Sequence, residues 1–190
     1  MRHRTRVSVS SLLLLPLLGL LSAATASPAA AQAPPTAPVT DLLCPIAATV
    51  RIAPGITLLA QPQQLTGHVQ GGTAVSPLTP CTSLTGVPYQ GFTMELTGTG
   101  GMACSIAALE GGLSGTAQVT WDNGDTSTVD WSVTTVAMVP VVNVTVTDGA
   151  LAGASVIVGG VPTSLTGNCV LNPVTGVGFG GVAEFLRTGG

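Results

Sequence analysis

The sequence offers few groups for nucleophilic catalysis. It has two histidines, and because His3 falls in an N-terminal export segment, His68 is the remaining candidate base for a Ser-His-Asp or Cys-His device. In Leu65–Val69 the position of His68 falls on the polar side of an alternating pattern, which predicts an outward side chain on a strand. The segment Gly112–Thr116 lacks the G-x-S-x-G spacing of a nucleophile elbow. The sequence therefore predicts a surface histidine and no catalytic residue.

The densest group of acids is Asp122, Asp125 and Asp130. Two carboxylates could serve glycoside hydrolysis, and three could bind calcium. Their spacing does not match a D-x-[DN]-x-[DN]-G calcium loop, and aromatic residues that could stack on sugars make up 3% of the chain. Asp and Asn favour turns through local hydrogen bonds, so we expect turn chemistry, with no metal and no cofactor.

Two further motifs also favour a structural interpretation. Gly98, Gly100 and Gly101 are followed by neither a helix nor a lysine, so we expect a connection between strands rather than a phosphate loop. Asn143-Val144-Thr145 fits a glycosylation sequon but lies inside a predicted strand, where we expect no modification.

The four cysteines are Cys44, Cys81, Cys104 and Cys169. Their successive gaps of 37, 23 and 65 positions lack the close pairs of a zinc site, so two disulfides are expected. We favour Cys44–Cys81 and Cys104–Cys169, because antiparallel strands would place these pairs at opposite ends of a sheet. The long segment Gly71–Gln90 leaves the other connectivities open.

The elements that would position these residues are strands, because hydrophobicity alternates with a period of two. The clearest runs are Phe92–Thr97, Thr116–Trp121, Val129–Val133 and Val142–Thr147. Weaker candidates are Ile46–Ala53, Leu65–Gln70, Met102–Leu109, Ala154–Val158 and Val177–Phe185. Segment Gly71–Gln90 is expected to be a long ordered or protruding loop.

This pattern predicts an all-β, antiparallel domain. We favour a two-sheet β-sandwich, with a small closed β-barrel as the alternative. A two-residue turn at Asn123-Gly124 would mix polar and apolar residues on both faces. A type I turn with Gly124 as a left-handed bulge instead places Trp121 and Trp131 on the same, core-facing side.

The N-terminus resembles an export signal: basic residues, the apolar run Leu12–Leu21 and small residues. We expect a signal peptide over 1–26, a linker rich in Ala and Pro over 27–40 and the β domain over 41–187. Cleavage is expected after Ala26, with Ala31 and Ala33 as alternatives. No other segment is long and apolar enough to predict a membrane anchor.

After residue 26 there are two arginines, Arg51 and Arg187, and eight acidic residues, a formal charge of −6. Such a surface repels phosphate backbones and anionic lipids, which argues against nucleic-acid binding and against adhesion to an anionic membrane.

The segments TGTGGMACS, SGTAQVTWDNGDTSTVDWSV, TVTDGALAGASV and GNCVLNPVTGV resemble a group of small secreted actinobacterial proteins of unknown function. The resemblance is carried by an early and a late cysteine and by the W-x-N-G-x-T-S-T hairpin that begins at Trp121. It implies an extracellular all-β protein and implies no activity.

The predicted function is that of a secreted, non-enzymatic domain with a binding or structural role and a partner in the cell envelope or outside the cell. The alternatives are a small-ligand carrier, a hydrolase with a carboxylate pair, and a protease inhibitor that uses the loop around Cys81. A pocket would discriminate between them: converging acids would indicate a hydrolase, a dry apolar cavity a carrier, and no pocket a structural role.

Overall fold

The computed structural model describes residues 37–104, 112–136 and 139–188, and these form strands and connecting turns. The strands are β1 (Pro38–Ile56), β2 (Gln61–Gly72), β3 (Thr82–Ser83), β4 (Gly91–Met102), β5 (Leu113–Trp121), β6 (Thr126–Val136), β7 (Val139–Gly149), β8 (Ser155–Thr166) and β9 (Val174–Thr188). None of the described residues belongs to a helix that could cross a membrane. The predicted signal peptide, most of the predicted linker and Ser105–Leu109 of one predicted strand lie outside the described residues.

The long first strand closes the sheet into a barrel. β1 pairs with β2 along one edge and with β9 along the other, and every pairing is antiparallel. The result is a closed barrel of eight strands, with the short β3 added beside β1. The predicted all-β antiparallel class is confirmed, and the architecture is the predicted alternative, the closed barrel, rather than the two-sheet sandwich. A sandwich would have two sheets that each end in unpaired edge strands, whereas here β1 joins the two ends of a single sheet.

Alternation along each strand divides the interior of the barrel from its surface. Ile46 of β1 lies opposite Gly71 of β2 and Gly181 of β9, and all three positions face inward. Val119, Val129 and other buried apolar residues complete the core. Outward positions carry mostly Thr, Ser, Gln and Asn, so the period of two in the sequence corresponds to the two faces of one curved sheet.

The β5–β6 hairpin has the predicted register. The Trp121 N–H donates to the Asp125 carbonyl at 2.9 Å, and Gly124 has a φ of 92°. Val119 therefore lies opposite Ser127. Both tryptophans face the interior as predicted, and Trp121 Nε1 donates to Ser127 Oγ at 2.9 Å.

The two disulfides brace opposite ends of the barrel with the favoured connectivity. Cys44–Cys81 lies in the main core, where Cys44 is fully buried. Cys104–Cys169 lies beside a small second cluster of Ile52, Ile56 and Val174. The first bridge therefore links the connection after β2 to β1, and the second links the connection after β4 to the connection between β8 and β9.

β1 begins at Pro38, three residues before the predicted domain start at Asp41. The Asp41 side chain is 2% exposed and accepts hydrogen bonds from Arg187 and from Thr85 Oγ1. The Arg187 guanidinium lowers the pKa of Asp41 below its ordinary value of 3.8, Thr85 adds to this effect, and burial opposes it. This ion pair joins the first strand to the last.

We expect the Cys44→Ala/Cys81→Ala variant to lose more stability than the Cys104→Ala/Cys169→Ala variant. In the chain-entropy model the separations of 37 and 65 residues favour the second bridge by only about 0.5 kcal/mol. Loss of the buried Cys44 and Cys81 sulfurs adds a packing cost of about 1 kcal/mol or more. Urea unfolding without reductant measures both variants, and a greater loss in the Cys104/Cys169 variant would contradict this ranking.

We expect Asp41→Asn to cost about 2 kcal/mol at pH 7, because it weakens hydrogen bonds to a charged group. Since the pKa of Asp41 is lowered by folding, its contribution is present above the unfolded value near pH 4 and is lost as the pH falls through the folded pKa. The difference from wild type in unfolding free energy should therefore shrink at pH 2 to 3. Asp148→Asn, the same charge change at an exposed acid, is the control and should stay within about 0.5 kcal/mol. A pH-independent effect of Asp41→Asn would contradict the ion-pair explanation.

Candidate functional site

The main feature of the interior is an apolar cavity of about 310 Å³. All eight barrel strands contribute to its walls, through residues that include Ala48, Val69, Met94, Val119, Trp131, Val144, Val158 and Phe179. The indole nitrogen of Trp131 is the sole side-chain nitrogen or oxygen among the lining residues of the described chain. It is buried and has no hydrogen-bond partner there. The cavity can therefore offer apolar contact and very little hydrogen bonding.

Four aromatic residues close one end of the cavity, and we call them the aromatic plug: Tyr89, Phe92, Trp121 and Phe185. Tyr89 stacks on Trp121 with ring centroids 4.4 Å apart, while Phe92 and Phe185 lie 5.4 and 5.5 Å from Trp121. All four are at most 9% exposed. Because the four rings pack against one another and are buried, a molecule in the cavity would not pass through this end.

A hydrogen bond holds the long loop over the plug. Tyr89 Oη donates to Asp125 Oδ2 at 2.9 Å. Burial, and then this carboxylate, raise the pKa of Tyr89. Hydrogen bonds from Asn123 and then Tyr89 lower the pKa of Asp125. Segment Gly71–Gln90, which was predicted to be a long loop, is thus attached to the barrel end through Tyr89 and Cys81. The same segment is the loop expected to react in a protease inhibitor.

Small residues on the inner face make room for Trp131 and the cavity. Trp131 lies opposite Gly115, which lies opposite Gly98 on the next strand. A Cβ atom at Gly98 would stand 2.2 Å from Trp131 Cζ2, so the indole crosses the sheet over two glycines. The expected strand connection at Gly98, Gly100 and Gly101 is therefore wrong: all three glycines belong to β4, and Gly98 and Gly100 have no room for a side chain there.

The junction between β7 and β8 is the least paired in the barrel wall. Among the described residues these strands pair only at Val144↔Val156 and Thr145↔Ser155, although both continue well beyond. We call the unpaired stretch between Val141–Asn143 and Ile157–Gly159 the seam. Val142 lines the cavity and is nevertheless 41% exposed. At the seam, therefore, a side chain that lines the apolar cavity is also exposed to solvent.

The residues predicted from the sequence to be capable of chemistry lie outside this cavity. His68 faces outward as predicted, with Nδ1 2.6 Å from Glu95 Oε1, and both side chains are well exposed. Ser114 and Asp130 are exposed on the outer surface. Asp122 Oδ2 accepts the Gln90 N–H at 3.1 Å, so it acts in turn and loop packing.

The described residues contain no group of three or more His, Cys, Asp or Glu side chains that could hold a metal ion. None of the acids in the described chain lines the cavity. A hydrolytic carboxylate pair in the barrel therefore has no support from this geometry.

Sequence reasoning did not locate the cavity. The alternation of polar and apolar residues correctly marks the inward positions, but it does not report the volume that they fill. One available signal was the presence of Ala48, Gly98 and Gly115 at inward positions among larger residues, because small side chains on a barrel interior leave space.

No protein-family model matches this chain, and no curated protein or solved structure matches it significantly.

Proposed function

We propose that this protein is a secreted, non-enzymatic carrier that binds a small apolar molecule inside its barrel. The observation that supports this proposal most strongly is the 310 Å³ cavity with exclusively apolar lining residues apart from the Trp131 indole nitrogen. Ligand pockets in proteins measure about 300–1,000 Å³ and are mostly apolar. Barrels of eight strands are just wide enough either to be filled by side chains or to hold one small ligand.

Water is a poor occupant of such a space. A buried water needs two to four polar partners, and the walls provide at most the buried Trp131 N–H. A hydrocarbon chain, in contrast, gains about 0.8 kcal/mol for every CH₂ group removed from water. The cavity is enclosed by strands that are paired along most of their length, so little reorganisation would oppose binding.

The absence of acid and histidine side chains from the cavity lining in the described residues supports the non-enzymatic part of the proposal. General acid–base catalysis requires an ionisable side chain, such as His, Asp, Glu, Lys, Tyr or Cys, within hydrogen-bond reach of the reacting atom, and none of these lines the cavity in the described residues.

Two observations support secretion. The described barrel contains two disulfides, which form and persist in oxidising compartments. The basic and apolar N-terminus has the pattern of an export signal. The resemblance to secreted actinobacterial proteins agrees with both.

We expect 1-alkanols to bind with a Kd that tightens about fourfold for each added CH₂ group, from hexanol to decanol, because each group adds about 0.8 kcal/mol. Displacement of a neutral fluorescent dye such as Nile red measures this series. Ala48→Phe fills the cavity and should weaken binding at least tenfold. Ala47→Phe, the adjacent outward position on β1, is the matched control and should bind as wild type does. Equal effects of the two variants, or no binding of any alkanol, would contradict the proposal.

We also expect decanol to change the intrinsic fluorescence of the protein through Trp131. Trp131 lines the cavity, whereas the other tryptophan, Trp121, is packed within the plug. A Trp131→Phe variant should therefore lose most of the ligand-dependent change while retaining the emission of Trp121. If the change persists in this variant, the ligand binds elsewhere.

A further inference from the structure

We infer that the ligand is an uncharged amphiphile, which enters through the seam and keeps its polar end there while its hydrocarbon chain fills the cavity. This inference rests on the proposed function and specifies the ligand class and its orientation. It follows from three features of the seam: its unpaired backbone edges, the charges around it, and its position relative to the plug.

The seam offers hydrogen-bonding groups that the cavity lacks. β7 is paired with β6 on its far side, and β8 with β9, so each strand presents one free edge to the gap. Alternate residues of such an edge carry N–H and carbonyl groups without a strand partner. A hydroxyl or ester placed there can donate or accept hydrogen bonds, whereas deeper in the cavity the same group would lose its water without compensation.

Among the described residues, no cationic side chain lies on the two strands of the seam to balance an anionic head. The chain has no lysine, and the arginines of the described barrel are Arg51 and Arg187. Arg187 is paired with Asp41 beside the plug. Arg51 faces outward on β1, between the inward Val50 and Ile52, and β9 separates it from β8. Neither arginine lies on β7 or β8.

Each strand that flanks the seam pair, β9 and β6, carries an acidic residue instead. Glu184 of β9 lies opposite Ile157, and Asp130 of β6 lies opposite Thr145 of β7. A carboxylate or phosphate head would meet these like charges and would also lose part of its hydration. A neutral head avoids both costs, so the site should favour an alcohol or an ester over a fatty acid of the same length.

The plug determines which end of the ligand lies inside. Because the aromatic plug closes the cavity on one side, an extended chain that enters at Val142 and Val158 must place its apolar end toward Val119 and Val129. Its polar end then remains between β7 and β8.

The test compares decanol with decanoate at pH 8, where the carboxylate is ionised, below micelle-forming concentrations and by Nile red displacement. We expect decanoate to bind the wild-type protein at least tenfold more weakly. Asn143→Lys places a cation on the exposed edge of β7 and should reduce or reverse this preference. Thr120→Lys makes the same charge change on the exterior of β5, away from the seam, and should leave the preference unchanged.

Thermal melts establish whether the variants fold. If Asn143→Lys does not fold, Ile157→Lys on the opposite edge of the seam replaces it. If wild type binds both ligands equally, or prefers decanoate, the inference of a neutral ligand is overturned. Equal effects of lysine at the seam and at Thr120 would overturn the placement of the head. If neither ligand nor Nile red binds, the proposed carrier function itself fails, which is a distinct result.

Discussion

The structure depends on the pairing of β1 with both β2 and β9. β1 lies opposite β2 over Ile46–Ala53 and opposite β9 along nearly its whole length. Because both edges of this strand are used, the sheet closes on itself and acquires a single enclosed interior. The Asp41–Arg187 pair strengthens the same junction at the end of the barrel where the aromatic plug lies. Without closure, the inward faces of the strands would need a second layer to cover them.

Closure also fixes the width of the interior, because the diameter of a barrel depends on its number of strands. Side chains must fill that width, or a cavity remains. One end is filled by the aromatic plug, in which Trp121 is the largest fully buried side chain. Nearer the other end, Gly98 and Gly115 let Trp131 lie flat across the sheet. These small residues, together with Ala48, leave apolar volume, and the weak pairing of β7 with β8 connects that volume to solvent. The cavity and its opening are thus consequences of where large and small residues fall on one inward face.

Local patterns predicted those features that depend on nearby residues. The period of two identified β5, β6 and β7, and the need to keep Trp121 and Trp131 on one face predicted the bulge at Gly124. The Cys44–Cys81 and Cys104–Cys169 connectivity followed from neighbouring antiparallel strands. Closure could not be decided in the same way, because it depends on β1 meeting β9 from the far end of the chain. The sequence predicts a connection at Gly98, because neither a helix nor a lysine follows it. The packing that requires a glycine there involves Trp131, which is distant in sequence. Local patterns also do not predict the cavity, because its volume depends on residues from all eight barrel strands.

Binding of a small apolar molecule inside the barrel is measured most directly by methyl NMR during a titration with decanol. We expect saturable shifts of the methyl resonances of Ala48, Val144 and Val158, which line the cavity. The outward Ala47 and Val182 methyl groups on β1 and β9 should remain unshifted. Shifts confined to outward methyl groups, or no saturable shift at any methyl group, would contradict it.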